Sequence, residues 1–158
     1  MPAFLGTTKQ RGELAEAVFF ERALRLGYVL SKPYGDSAPY DWVVGGAFPR
    51  LKRVQVKAAY TLKNKSSYRV SCAVGGHGRT YSVKDIDFLA AYVAPADTWY
   101  IIPVSAFSPK WALYFRPHRP GADQAWGKFR EAWWRLGRVA KPSERAQPST
   151  RNRMRSSG

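Results

Sequence analysis

Two uninterrupted apolar runs, Phe88–Val93 and Trp99–Val104, constrain this chain more than any other feature. A strand with one wet face alternates apolar and polar side chains, whereas a strand covered on both faces has no reason to. Both runs are therefore expected as central strands buried on both sides. Four other segments, Tyr28–Lys32, Tyr40–Val44, Leu51–Ala59 and Tyr68–Val74, are rich in β-branched or aromatic residues and bounded by Gly, Pro, Asp or Ser, the signature of shorter strands. Trp111–Phe115 is expected as an edge strand. Thr7 or Thr8 can cap a helix to about Arg25, with Leu14, Ala17, Val18, Phe19, Phe20 and Leu24 giving an apolar face and Gly27 ending it. Trp126, Phe129, Trp133 and Leu136 stand three, four and three apart, which predicts a final helix over 122–139, with Gly127 and Gly137 working against it. From Lys141 onward Pro, Ser, Arg and Gln dominate without periodicity, so 141–158 is expected as a disordered basic tail. The fold class is α/β: one domain over 1–140, a mixed β-sheet flanked by an N-terminal and a C-terminal helix.

Charge narrows the partner. Against 26 Lys and Arg stand 11 Asp and Glu, a formal +15. The excess is concentrated: residues 42–84 hold nine basic residues (Arg50, Lys52, Arg53, Lys57, Lys63, Lys65, Arg69, Arg79, Lys84) and no acid. Such a segment attracts a phosphate backbone, and neutralised phosphates release counterions. Nucleic acid is the expected partner, and Arg50, Lys52, Arg53, Lys63, Lys65, Arg69, Arg79 and Lys84 are its expected contacts. No basic amphipathic helix with a broad apolar face points to a membrane surface, and no segment approaches the roughly 20 apolar residues of a membrane span. A single cysteine, Cys72, forms no internal disulfide, and no Cys/His cluster has zinc-ligand spacing. The expected location is the cytoplasm, at the nucleoid.

With so few acids, each placement matters. Asp41 follows Pro39-Tyr40 and opens the apolar Trp42-Val43-Val44, and Gln55-Val56-Lys57 lies in the next strand. The two-residue period sends Gln55 and Lys57 to one face while Val54 and Val56 take the other. Glu13 lies in the first turns of the opening helix, and Glu16, three residues on, is a reserve for the same role. Each residue alone has a plainer reading: a turn aspartate after proline, a lysine on a sheet edge, a helix-start carboxylate.

Together, Gly12-Glu13 in a first helix, then Pro39-x-Asp41, then Gln55-x-Lys57, resemble the PD-(D/E)XK nuclease superfamily. The likeness is nearest to the branch with Gln-x-Lys in place of Glu-x-Lys, which includes group I intron homing endonucleases. Gly35-Asp36-Ser37-Ala38-Pro39-Tyr40-Asp41, Tyr81 and Asp87-Phe88-Leu89-Ala90-Ala91-Tyr92 are similar to that branch too, and the likeness spans about 8–104. The resemblance implies a restriction-endonuclease-like core and hydrolysis of phosphodiester bonds in double-stranded DNA with Mg²⁺, or Mn²⁺ in its place. It implies Asp41 and the Val56 backbone carbonyl as metal ligands, Glu13 as a further ligand through water or as the group that holds the Lys57 side chain, and Glu13, Asp41, Gln55 and Lys57 as the catalytic set. Lys57 would orient the attacking water and stabilise developing negative charge.

Gln55 departs from the commoner pattern and removes one negative charge. At an effective dielectric of about 20, a unit pair at 4 Å is worth ~4 kcal/mol before desolvation, so affinity leans on Asp41 and Glu13. Cutting both strands requires two sites, hence a homodimer or higher assembly. A junction resolvase or repair nuclease on the same core, and a nucleic-acid-binding module without activity, are the alternatives.

Overall fold

A computed structural model describes residues 6–46, 50–63, 66–119, 121, 123 and 125–139. The basic segment 141–158, expected as a tail, and Lys65 lie outside the described residues. Helix α1 (Thr8–Arg25) starts on a reciprocal cap. The Gln10 backbone N–H donates to the Thr7 hydroxyl at 3.2 Å, and the Thr7 N–H donates to the Gln10 side-chain oxygen at 2.9 Å. Two first-turn donors that would otherwise lack partners are satisfied in this way. Gly27, at φ 90°, turns the chain out of the helix into β1 (Val29–Ser31).

The main sheet adds β2 (Trp42–Gly45), β3 (Lys52–Ala59), β7 (Phe88–Val93) and β8 (Thr98–Pro103), in the order β1-β2-β3-β7-β8. It is mixed: β3 and β7 run parallel, and the other neighbours are antiparallel. Every residue of β7 is buried, as expected for a strand covered on both faces. One face carries Val54, Val56, Ala90, Trp99 and Ile101 and packs against Ala15, Phe19 and Ala23 of α1. The other face carries Leu89, Ala91, Val93, Tyr100 and Ile102 and packs against a second layer. That layer holds the ribbon of β4 (Tyr68–Ser71) with β9 (Ala112–Phe115), the hairpin of β5 (Ala73–Val74) with β6 (Arg79–Thr80), and the short helix α2 (Val104–Phe107). The expected strand 68–74 thus divides at Cys72, whose N–H bonds the Trp111 carbonyl and whose carbonyl accepts from Tyr81. The expected edge strand 111–115 belongs to the second layer.

The expected helix over 122–139 does not form. Its described residues make two short 3₁₀ turns, Gly127–Phe129 and Trp133–Leu136. Edge strand β8 takes the backbone that a helix would use internally. The Glu131 N–H donates to the Trp99 carbonyl at 2.8 Å, and the Glu131 carboxylate accepts from the Trp99 N–H at 2.8 Å. Glu131 adopts φ 48° and Gly137 φ 124°, neither compatible with a right-handed helix. Phe129, Trp133 and Leu136 are nevertheless buried, Trp133 against Phe19 and Trp99 at ring-centroid distances of 5.5 and 5.7 Å. Their spacing reports which residues go inside, not the helix expected from it.

The end of this segment lies so close to β2 that a Cβ on Gly46 would stand 2.0 Å from the Arg138 carbonyl oxygen, a backbone atom. Gly12 in α1 has nothing within 4 Å of that position. Opposite signs are expected in chemical denaturation: Gly46→Ala destabilises by about 1–3 kcal/mol, and Gly12→Ala stabilises by about 0.5–1 kcal/mol.

Candidate active site

Strands β2 and β3 pair only as far as Trp42–Val54. Beyond that point β3 continues without β2 beside it, so the Val56 N–H and C=O, which share one side of the strand, have no strand partner there. Asp41, the residue before β2, fills the gap. Its N–H donates to the Val54 carbonyl at 3.0 Å, and its Oδ2 accepts the Val56 N–H at 2.8 Å. The Gln55 side-chain nitrogen donates to the same Oδ2 at 2.7 Å and to the Val56 carbonyl at 3.2 Å.

A cavity of about 470 Å³ opens here, between the start of α1 and the free edge of β3. Its walls differ in charge. Asp41 and Glu16 supply carboxylates, while Arg11, Lys57 and Arg69 supply cations. Lys57 Nζ lies 5.8 Å from the centre of the Tyr81 ring and makes no ion pair among the described residues. Arg11 lies 5.7 Å over the Tyr60 ring, whose hydroxyl donates to the Arg11 carbonyl at 2.7 Å, and the buried Arg11 Nε has no hydrogen-bond partner among the described residues. Burial pushes the Asp41 carboxyl up to about 6, against the pull of its Val56 bond, and the nearby Glu16 raises it further. Lys57 and Gln55 pull it down by smaller amounts.

The structure brings Asp41, Gln55, Val56 and Lys57 to one cavity and leaves Glu13 outside it. Glu13 is exposed and lines a neighbouring depression with Phe20, Lys32 and Trp42, and Glu16 stands between the two, lining both. At about 100° per residue, three residues move the side chain by about 60° around the helix. That step carries Glu16 to the flank of the Ala15, Phe19 and Ala23 stripe, beside Asp41. The signal was present in the sequence: Glu16 follows the first buried alanine of that stripe, and Glu13 does not. Lys32 Nζ holds Glu16 Oε2 at 2.6 Å while lying 5.2 Å over the Trp42 ring.

The expected DNA contacts separate into two groups. Arg53 is engaged internally, binding Asp87 and the carbonyls of Val83 and Lys84. Arg79 pairs with Asp85 at 2.7 and 2.8 Å. Asp85 and Asp87 thereby fix the entry to β7, and both carboxyls are held below the ordinary range, Asp85 chiefly by Arg79 and Asp87 by its Arg53 bonds against the opposing effect of burial. Arg50, Lys63, Arg69 and Lys84 are exposed and Lys52 is half-buried. Of the expected contacts among the described residues, only Arg69 reaches the cavity wall.

The raised Asp41 value has a stability consequence. Between 3.8 and about 6 the folded protein keeps a proton that the unfolded chain has released, so this contribution is full below 3.8 and lost as pH rises through 6. Asp85 and Asp87 act with the opposite sign and below 3.8. Metal-free urea titrations at pH 4.5 and 7.5 are expected to show Asp41→Asn gaining on the parent as pH rises, by up to about 2 kcal/mol. Equal differences at both pH values would contradict the burial of this carboxylate.

The family model for the PD-(D/E)XK endonucleases matches residues 6–134. Among solved structures, a bacterial homing endonuclease, I-Ssp6803I, is similar at 30% identity and a TM-score of 0.65, over 82% of this chain and 90% of that one. No curated protein matches in sequence. The family match takes in α1, the whole five-stranded sheet, and the cavity with Asp41, Gln55 and Lys57, so this chain belongs to the PD-(D/E)XK endonucleases.

Proposed function

We propose that the protein is a Mg²⁺-dependent DNA endonuclease of the homing type, hydrolysing phosphodiester bonds at the Asp41 cavity. The observation that carries this reading is the convergence of Asp41, the Val56 carbonyl and Lys57 where β2 leaves β3. The acceptors gathered there are all oxygens, the Asp41 and Glu16 carboxylates and the Val56 carbonyl, and the Gln55 amide turns its nitrogen to two of them. No cluster of three or more His, Cys, Asp or Glu forms among the described residues. Two carboxylates and a carbonyl, without sulfur or imidazole, fit a hard cation that keeps several of its waters. Mn²⁺ suits the same donors.

Asp41 and the Val56 carbonyl would hold the cation directly, with Glu16 beside them in the place that sequence reasoning gave to Glu13. When bound there, Mg²⁺ polarises the scissile phosphate and makes its water a stronger nucleophile. Lys57 does the positioning from the neighbouring wall: its ammonium, with no ion pair among the described residues, is free to orient the attacking water and to stabilise charge that develops on the phosphate oxygens. Arg69 and Arg11 offer fork-shaped donors for the phosphates on either side. Arg50, Lys63 and Lys84 lie outside the cavity and act on the DNA backbone at longer range, which makes binding steeply dependent on salt. Asp41 carries its proton until about pH 6, so metal binding and cleavage both strengthen as pH rises through that value. Double-strand cleavage requires two such cavities, supplied by paired copies of the chain. The homing type rests on likeness to I-Ssp6803I, at 30% identity.

Supercoiled plasmid should be nicked and linearised with Mg²⁺ and left intact in EDTA. Asp41→Ala and Lys57→Ala are expected to lose about 10²–10⁴-fold or more in rate, with Lys57→Ala still binding DNA in a salt-sensitive manner. Glu16→Gln is expected to cost at least about tenfold, and Glu13→Gln less than about twofold, as an exposed residue outside the cavity. Cleavage that survives in EDTA, or in Asp41→Ala, would overturn the reading.

A further inference from the structure

The Gln55 side chain presents its nitrogen to the metal-binding oxygens. That nitrogen donates to Asp41 Oδ2 at 2.7 Å and to the Val56 carbonyl at 3.2 Å. An ionised carboxylate and a carbonyl are acceptors only, so the contact needs N–H groups and excludes the amide oxygen. Partial positive charge therefore sits where two oxygen ligands converge, which is the place a cation would take.

We propose that the Gln55 amide is a built-in stand-in for the divalent cation. It bridges Asp41 and the Val56 carbonyl in the metal-free protein and releases both bonds when the cation binds. The inference rests on the metal-dependent reading above and assigns Gln55 a role different from that of a ligand.

Three physical points support it. The Val56 carbonyl has lost its strand neighbour and Asp41 is largely buried, so both need donors whether or not a metal is present. An N–H group cannot ligate a cation and is repelled by one, so the observed bonds and a bound cation exclude each other. A glutamate in the same position has no donor to offer and would face Asp41 as a like charge. Glutamine thus lowers metal affinity and keeps the metal-free site in shape. The coupling is reciprocal: as the amide opposes the cation, the cation weakens the hold of the amide by the same factor.

The test uses the full chain, with Ca²⁺ as probe and Gln55→Met as a variant that removes the amide without adding charge. In EDTA the variant is expected to melt about 5 °C or more below the parent. In saturating Ca²⁺ that gap should shrink by at least half, because neither protein then has the two bonds. By calorimetry Ca²⁺ should bind Gln55→Met about five- to tenfold more tightly. A gap unaltered by Ca²⁺, or weaker Ca²⁺ binding in the variant, overturns the stand-in role and leaves the nuclease reading in place.

Should the variant fail to fold, nitrogen-15 NMR of the parent gives the answer. Ca²⁺ is expected to shift the Gln55 side-chain NH₂ pair together with the Val56 backbone amide. A Val56 shift with a stationary Gln55 pair overturns the stand-in. A Ca²⁺ titration that moves neither overturns the metal-binding reading itself.

Discussion

The contact between the Asp41 carboxylate and the Val56 backbone is the one on which the rest depends. A sheet in which β2 stayed paired with β3 would use the Val56 N–H and carbonyl in its ladder and leave no opening. Because pairing ends at Trp42–Val54, one carboxylate replaces a strand neighbour. The exchange leaves a carbonyl pointing at the same space and places Lys57 one residue further along the strand. The parallel register of β3 with β7, six consecutive pairs from Val54–Phe88 to Ala59–Val93, holds the opposite edge of β3 fixed while its free edge faces the cavity. The open cavity at this edge is thus a consequence of incomplete pairing on one side and complete pairing on the other.

Charge is arranged around that opening in two ways. Some cations are neutralised within the fold: Arg53 by Asp87, Arg79 by Asp85, and Lys32 by Glu16. The first two pairs tie β3 and the 79–85 turn to the start of β7, which makes them structural. Exposed ion pairs contribute little, but the Arg53–Asp87 contact adds a backbone N–H from Arg53 to Asp87 at 2.7 Å and is better ordered than a surface pair. Lys57, Arg11 and Arg69 line the cavity without an ion pair among the described residues. Of the described acids, Asp41 and Glu16 face the cavity while Asp85 and Asp87 close the fold.

Much of the architecture was legible in the sequence because period-two and period-3.6 patterns report burial directly. The extent of the helix, the apolar strands, and the opposite facing of Val54/Val56 and Gln55/Lys57 followed from the sequence, but the helix buries Ala15, Phe19 and Ala23 and leaves Leu14, Phe20 and Leu24 of its expected apolar face exposed. The final segment did not, since Trp133 and Leu136 are buried by packing under α1 while Glu131 bonds a strand edge, and residue spacing cannot distinguish that from a helix. Glu13 and Glu16 lie on the same helix, and only the phase of the buried alanine stripe decides which one meets Asp41. Arg53 and Arg79 belong to a basic stretch without a single acid, but their partners, Asp87 and Asp85, come from beyond it. The resemblance carried by short motifs pointed to the cavity; three-dimensional pairing brings Glu16 to it and leaves Glu13 outside.

The proposed nuclease requires one divalent cation site between the Asp41 carboxylate and the Val56 carbonyl, where β2 departs from β3. Anomalous diffraction from crystals soaked in Mn²⁺ tests it most directly. A manganese peak within coordination distance of both oxygens, with Glu16 nearer than Glu13, is the predicted result. A peak elsewhere, or a fully occupied site that leaves Asp41 uncoordinated, would contradict the account.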